Sequence, residues 1–362
     1  MTISTPERSP VGSAQRQLRK LAELVTTPLV PEDFLDLVRP LHNGTDLRGR
    51  IEAIDPETRD AATVRIRPGR GWNTPVAGQY VRIGIDVNGV RQWRTYSVTT
   101  PADADGCFTI TVKAVPGGIV STHLVRRARV GTLLQLDQPA GDFVLPTPWP
   151  IKVLFVTAGS GITPVMGMLR ESLHDLADVV LVHCAPTAED SIFRGEIRTL
   201  AAGGHLRLVE IHTQTAGRLT PDALAALVPD LAERHTWACG PAALLDALEQ
   251  HYDAAGITDR LRTERFQAAV IATGVGGPAT FSRSDTTVDT DGATSLLDAG
   301  ENAGVLMPSG CRMGVCFGCV VPLRRGAVRD LRNGELTSAN PGDGVLVQTC
   351  VSAAAGTCEL DV

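Results

Sequence analysis

The chain has 362 residues, a net charge of −6, and 43% apolar and 20% charged side chains. That length supports two or three domains, the ordinary proportions exclude wholesale disorder, and the scattered basic residues leave no nucleic-acid footprint. No apolar run approaches the ~18 residues of a membrane span, and the N-terminal MTISTPERSPVGSAQ has no apolar signal core, so a cytoplasmic protein is expected.

Residues 1–45 read as an N-terminal extension. Its stretch LVTTPLVPEDFLDLVRPL is proline-punctuated and half apolar, with Arg39 set against Glu32, Asp33 and Asp36. That balance favours an extension packed on the next domain over a membrane-surface helix. Residues 46–148 read as an antiparallel β-barrel. Gln79–Asp86 alternates as a strand, Asn88-Gly89 is a hairpin turn signal, and the following strand ends in Arg94-Thr95-Tyr96-Ser97. A period of two puts Arg94 and Tyr96 on one face and Thr95 and Ser97 on the other. The Arg94 guanidinium suits a diphosphate and the Tyr96 ring suits a flat heterocycle. Phe108–Val115 is the next strand. Gly117, Gly118, Ser121 and Thr122 then open a helix whose backbone N–H groups suit an anion.

Pro146, Pro148 and Pro150 mark a boundary, and residues 149–268 read as an α/β domain with strands near 153–157, 179–184, 206–211 and 236–239. Gly159-Ser160-Gly161 turns the first strand into a helix over Thr163–Leu173, with Pro164 in its first turn. That is a phosphate cradle, although Pro164 departs from G-x-G-x-x-G. Trp237-Ala-Cys239-Gly240-Pro241 follows a later strand, and Arg262-Thr-Glu264-Arg265-Phe266 closes the domain. On its own, Cys239 reads as a buried structural thiol. His123 and His183 read as satisfied structural histidines. Residues 269–277 are small and uncharged, a tether.

Residues 278–362 open with a hairpin, Ala279–Arg283 and Thr286–Thr290, and a helix over Thr294–Ala303; Val320–Leu323 and Val345–Gln348 read as strands. Between them lies CRMGVCFGC. The spacing is Cys311-x4-Cys316-x2-Cys319, with Cys350 thirty-one positions later. Clustered cysteines in such a chain favour metal over disulfides, and this spacing is that of a plant-type 2Fe-2S site. Gly310, Gly314 and Gly318 let backbone N–H groups approach sulfur. A four-thiolate diferric cluster is dianionic, which favours those dipoles and nearby Arg312. A structural zinc site is the alternative, but it wants a second C-x2-C or histidines, and none follows His251. Cys358 stands outside the pattern and reads as a small buried hydrophobe.

R-x-Y-S, the K-x-x-x-G-G-x-x-S running from Lys113 to Ser121, G-x-G-I-T-P, C-G-P, E-x-F and the cysteine loop, in this order, resemble the ferredoxin–NADP reductase superfamily in its three-module flavin, nicotinamide and 2Fe-2S form. The resemblance implies a β-barrel FAD domain, a parallel-sheet NAD(P) domain and a β-grasp ferredoxin domain. It implies flavin contacts from Arg94, Tyr96 and Ser97, with Lys113 in the motif and Gly118, Val120 and Ser121 at the diphosphate. Gly159 and Gly161 would take the dinucleotide, Thr163 and Cys239 would flank the nicotinamide, and Glu264 and Phe266 the flavin. The catalytic set is then Ser97, Thr163, Cys239 and Glu264, and Cys311, Cys316, Cys319 and Cys350 ligate the cluster. Expected cofactors are FAD, a 2Fe-2S cluster and NADPH, with NADH as the alternative. Thr187 and Arg194 suit a 2′-phosphate, whereas Glu189 and Asp190 would repel one, and Pro186 stands where related reductases carry arginine. The lead-in LVTTPL…DFL, HCAPTAEDSIFR, TWACGP and CRMGVC…CVV most resemble the actinobacterial reductases that serve stearoyl-CoA Δ9-desaturase. The expected acceptor is therefore a membrane-bound acyl-CoA desaturase, with a ring-hydroxylating oxygenase or P450 as runner-up. A cluster-based redox sensor would need a signalling or DNA-binding module. A monomer is expected, with no membrane span and no nucleic-acid partner, acting in the cytoplasm or peripherally at the inner face of the membrane.

Overall fold

The structure, a computed structural model, describes residues 41, 47–87, 90–101, 103–266, 273–310, 312, 314 and 317–362. Nearly all of the 1–45 extension, the Asn88-Gly89 turn, Cys311 and Cys316 lie outside the described residues.

The first module is a closed barrel, in the order β1-β2-β5-β4-β3-β6. Its strands are β1 (Arg48–Thr58), β2 (Ala61–Pro68), β3 (Tyr80–Val87), β4 (Val90–Thr100), β5 (Phe108–Lys113) and β6 (Leu133–Leu136). Strand β3 shows why it closes: Val81, Ile83, Ile85 and Val87 alternate inward and are buried. Closure leaves no unpaired edge. Helix α1 (Ile119–Arg126) plugs the barrel with Val120 and Leu124, one turn apart on one face.

The second module is a parallel sheet in the order β11-β10-β7-β8-β9. Here β7 is Lys152–Ala158, β8 Asp178–Ala185, β9 Arg207–His212, β10 His235–Cys239 and β11 Leu261–Glu264. The uninterrupted apolar run of β7 is what a strand covered on both faces requires. Its helices are α2 (Ile162–Ser172), α3 (Arg194–Ala202), α4 (Thr213–Ala216), α5 (Pro221–Leu227) and α6 (Ala242–Ala254). The four expected strands are present; β11, which delivers Glu264, adds a fifth. Phe155, Met166 and Trp237 share one apolar core with Ala61, Ala77 and Phe143 of the barrel side, so the two modules are fused through packing.

The third module has the sheet order β13-β12-β17-β14-β15, with β16 paired to β14. Strands β12 (Gly277–Phe281) and β13 (Thr286–Thr290) form the hairpin, and α7 (Leu296–Asn302) follows, capped by Ser295 Oγ, which accepts from the Asp298 N–H at 3.1 Å. Strand β14 runs Val320–Asp330, far beyond the expected Val320–Leu323, because two register irregularities, at Arg324 and Ala327, let it stay paired with β17. Strands β15 (Leu336–Ala339), β16 (Leu346–Gln348) and β17 (Ser352–Leu360) complete it. The end of the tether belongs to this sheet: Gly274 N–H donates to Gly292 O at 2.7 Å and Gly276 N–H to Ala354 O at 3.2 Å. No described helix is long and apolar enough to cross a membrane.

Candidate active site

The ends of β4, β10 and β11 and the start of α2 converge between the first two modules. Ser97 stands opposite Tyr80, Tyr96 opposite Val81 and Arg94 opposite Ile83, so the expected split of faces holds. Ser97 is buried and its Oγ makes no well-aligned hydrogen bond. Glu264 ends β11, and its Oε2 is likewise buried without a partner. Burial pushes the Glu264 carboxyl up to about 8; the Ser97 hydroxyl nearby lowers it and Asp142 raises it further. At neutral pH this group holds its proton. Cys239 lies between Glu264 on β11 and Thr157 on β7. It is fully buried, which pushes its thiol well above the ordinary range, so it stays neutral. A Cβ on Gly161 would stand 2.1 Å from Cys239 O, so only glycine lets the Gly159-Ser160-Gly161 turn abut the end of β10. Thr163 is buried and donates to Ser160 O at 3.0 Å, which ties the first turn of α2 to the glycine turn. Phe266, two residues beyond Glu264, is 40% exposed.

The second glycine turn is organised around Ser121. Its Oγ accepts from the Val115 N–H at 3.3 Å, and Gly118 begins α1 with no side-chain cap. Val120 sends its side chain into the barrel core, so it offers only backbone to a ligand. Lys113 is committed elsewhere: its Nζ lies 3.0 Å from Asp60 Oδ1. Tyr96 is half-buried, and burial raises its phenol beyond the usual range. Arg94, also half-buried, donates to Trp93 O at 2.7 Å.

Farther along the sheet edge, Thr187 donates to Asp190 Oδ2 at 3.0 Å and Arg59 pairs with Asp190 Oδ1 at 3.2 Å. Arg194 opens α3, its Nε buried without a partner, in a cleft with Ala188, Glu189 and Ser191. His183, read as structural, is buried with Nδ1 2.8 Å from Thr157 Oγ1. Burial, then the charge of His212, lowers it to about 4.

In the third module Cys319 immediately precedes β14 and Cys350 follows β16, and their sulfurs are 3.2 Å apart. Thr349 Oγ1 donates to Cys319 O at 3.0 Å and ties the two segments together. The contact with Cys350 lowers the Cys319 thiol, and backbone and Thr349 hydrogen bonds add to it. Arg312, Gly314 and Phe317 all take left-handed backbone, a tightly wrapped loop. Two thiols 3.2 Å apart, one of them eased toward thiolate by the other, on such a loop fit a 2Fe-2S cluster. The orphaned Ser97 and Glu264 oxygens and the two glycine turns fit a flavin and a dinucleotide. Sequence reasoning missed Arg170 and Glu301, which join modules; their contacts span segments far apart in the chain and carry no local signal.

Family models for an oxidoreductase FAD-binding domain, an oxidoreductase NAD-binding domain and a 2Fe-2S iron–sulfur cluster binding domain match residues 73–145, 155–250 and 280–355. A protein of Mycobacterium tuberculosis named NADPH oxidoreductase is 48% identical over 370 residues, covering 100% of this chain and 95% of its own length. The ferredoxin reductase component of 3-ketosteroid-9-alpha-monooxygenase from Mycolicibacterium smegmatis is 31% identical, covering 86% and 92%. The solved structure of phthalate dioxygenase reductase superposes with a TM-score of 0.61 at 22% identity, covering 88% of this chain and 98% of that one. With the three matched domains in this order and a relative alike from end to end, the chain belongs to the ferredoxin–NADP reductase superfamily, as a three-module NAD(P)H oxidoreductase using FAD and a 2Fe-2S cluster.

Proposed function

We propose that the chain carries electrons from NADPH to a membrane-bound acyl-CoA desaturase, working in the cytoplasm or peripherally at the inner face of the membrane. The observation that carries the acceptor is the surface of the ferredoxin module. Residues 278–362 hold ten acidic and six basic side chains. All six arginines are engaged inside the module: Arg283 and Arg324 on Asp361, Arg325 on Glu359, Arg332 on Asp330, Arg312 on Asp298 and Arg329 on Gly334 O. Exposed Asp285, Asp289, Glu335 and Asp343 make no ion pair among the described residues. A module with this excess of unpaired negative charge suits fast, transient docking on a basic cytosolic patch. The resemblance of the lead-in to desaturase reductases supports the same acceptor. NADPH is supported by Asp190, one of the two acids that would repel a 2′-phosphate, being paired with Arg59 and hydrogen-bonded by Thr187, and by the name of the 48% identical relative; Glu189, in the cleft with Arg194, speaks for NADH.

The modules in this reading are 46–148 for FAD, 149–268 for the dinucleotide and 278–362 for the cluster. Arg94, Tyr96 and Ser97 hold the flavin, with Gly118, Val120 and Ser121 at its diphosphate, while Lys113 holds the β1–β2 hairpin in place. Gly159, Gly161, Thr163, Thr187 and Arg194 hold the dinucleotide, and Phe266 shields the flavin. Bound FAD supplies the conversion between a hydride and single electrons. Cys239 and Thr163 exclude water beside the nicotinamide, and Ser97 and Glu264 keep a proton at hand. Cys311, Cys316, Cys319 and Cys350 ligate the cluster. In membranes containing the desaturase, NADPH and this protein should convert stearoyl-CoA to oleoyl-CoA. The second reading, an oxygenase reductase, is favoured by the M. smegmatis relative; it takes over if only a soluble oxygenase is driven. A higher specificity constant for NADH would overturn the donor.

A further inference from the structure

Two cations face each other where the flavin barrel meets the ferredoxin module. Arg94 comes from β4, and Arg312 from the cysteine loop. Between them stands Glu301, in the last turn of α7. Its Oε1 accepts from Arg312 Nη2, and its Oε2 lies 4.0 Å from Arg94 Nη2. All three side chains are mostly covered, at 17% exposure for Glu301, 19% for Arg312 and 22% for Arg94, so solvent screens them less than a surface pair. Of the two cations Asp298 bonds Arg312, at 2.9 Å, and its other oxygen accepts from Ser295 Oγ at 2.7 Å. An acid in the last turn of a helix is locally unfavourable, because the carbonyl end of the helix is already negative, so Glu301 needs cations from outside its helix. The apolar core of the ferredoxin module contains no residue of the other two modules.

We propose that Glu301 is a positioning residue, an ionic latch that docks the cluster loop against the flavin module. Its carboxylate turns a repulsive Arg94–Arg312 contact into an attractive one. The rate of flavin-to-cluster transfer then scales with the docked fraction. Burial and the Arg312 charge both lower the Arg94 guanidinium, which is consistent with two cations held at close quarters. This inference rests on electrons passing from flavin to cluster, and the test separates the two.

The experiment is single-turnover mixing of the holoprotein with NADPH, following flavin and cluster absorbance separately, for wild type, Glu301→Gln and Glu301→Asp. Flavin and iron content, flavin reduction and ferricyanide reduction should be unchanged in both variants. Cluster reduction should fall about tenfold in Glu301→Gln, the cost of one partly buried pair, and less in Glu301→Asp. Cluster reduction at the wild-type rate in Glu301→Gln overturns the latch. So does loss of flavin from either variant, which would place Glu301 in the flavin site. If the wild-type cluster stays oxidised while the flavin is reduced, the electron order itself fails, and the latch falls with it.

Discussion

The two joins between modules are built on opposite principles. Where the barrel meets the parallel sheet, the join is a shared core. Helix α2 lies against β4 so closely that a Cβ on Gly167 would stand 2.6 Å from Val98 O. From the same helix Arg170 donates to Thr99 O at 3.0 Å and Thr100 Oγ1 at 3.1 Å, while Glu196 holds it from below and the Phe193 ring lies 4.8 Å away. Trp237 Nε1 reaches back to Val144 O at 3.2 Å. Where the barrel meets the ferredoxin module, the ion pair that crosses among the described residues is Arg94–Glu301, with Arg312 on the far side of the carboxylate. The difference follows the chemistry. Hydride transfer needs reacting atoms held about 3–3.5 Å apart, which only a packed join guarantees. A cluster that must serve a flavin and then an outside acceptor gains from a join that forms and breaks.

The sharpest way to break this contrast is Gly167→Val. It forces α2 off β4 and should slow flavin reduction by NADPH about 100-fold, because small misplacements are costly in such geometry. The cluster spectrum should be untouched. Stopped-flow reduction at the wild-type rate would show that the packed join does not set the geometry. Next comes Glu264→Gln. The wild-type rate of flavin reduction should show an ionisation near 8, that of a buried carboxyl. The variant should lose that inflection and run about tenfold slower, at the low end of what proton-donating groups contribute. The sign for stability is opposite to that of an ordinary acid: Glu264 binds its proton more tightly folded than unfolded, so its contribution is full below 4.5 and is lost as pH rises through about 8. Thermal melts of the flavin-free protein across that window should flatten in Glu264→Gln. The smallest effect is that of salt. Raising ionic strength well above physiological should slow cluster reduction about threefold and leave flavin reduction unchanged, since only the ionic join is screened. Equal sensitivity of both steps would erase the distinction.

Much of the fold was legible because its periodicities are strong. The apolar run of β7, the Gly-Ser-Gly turn, the alternation in β3 and the hairpin of β12 and β13 all stand where their patterns indicate. Strand β14 was half hidden, because Arg324, Arg325 and Gly326 look like a loop, whereas the strand runs on through them with register shifts at Arg324 and Ala327. Strand β11 is four residues of mixed polarity, recognisable through the E-x-F motif and not through period. In the site, glycines, Ser97, Thr163 and Cys239 announce themselves by motif. Lys113 belongs to a motif yet spends its charge on Asp60, a pairing set by the register of β2 on β5. Arg170 and Glu301 were illegible for a plain reason: each acts on a segment brought to it only by the packing of whole modules.

The pinned end of the tether has one more consequence. Phe266 closes the second module and Gly274 is already bonded to the third, so seven residues, eight Cα–Cα steps, link them. Fully extended, that leash reaches no more than about 29 Å. Within so small a volume the ferredoxin module meets the flavin module at an effective concentration on the order of millimolar. An ionic contact with a dissociation constant near that value, about −4 kcal/mol, would leave two separate proteins apart in dilute solution. On the leash such a contact would hold the modules together about half the time. Each departure would then open the cluster loop to an acceptor, as the proposed latch requires.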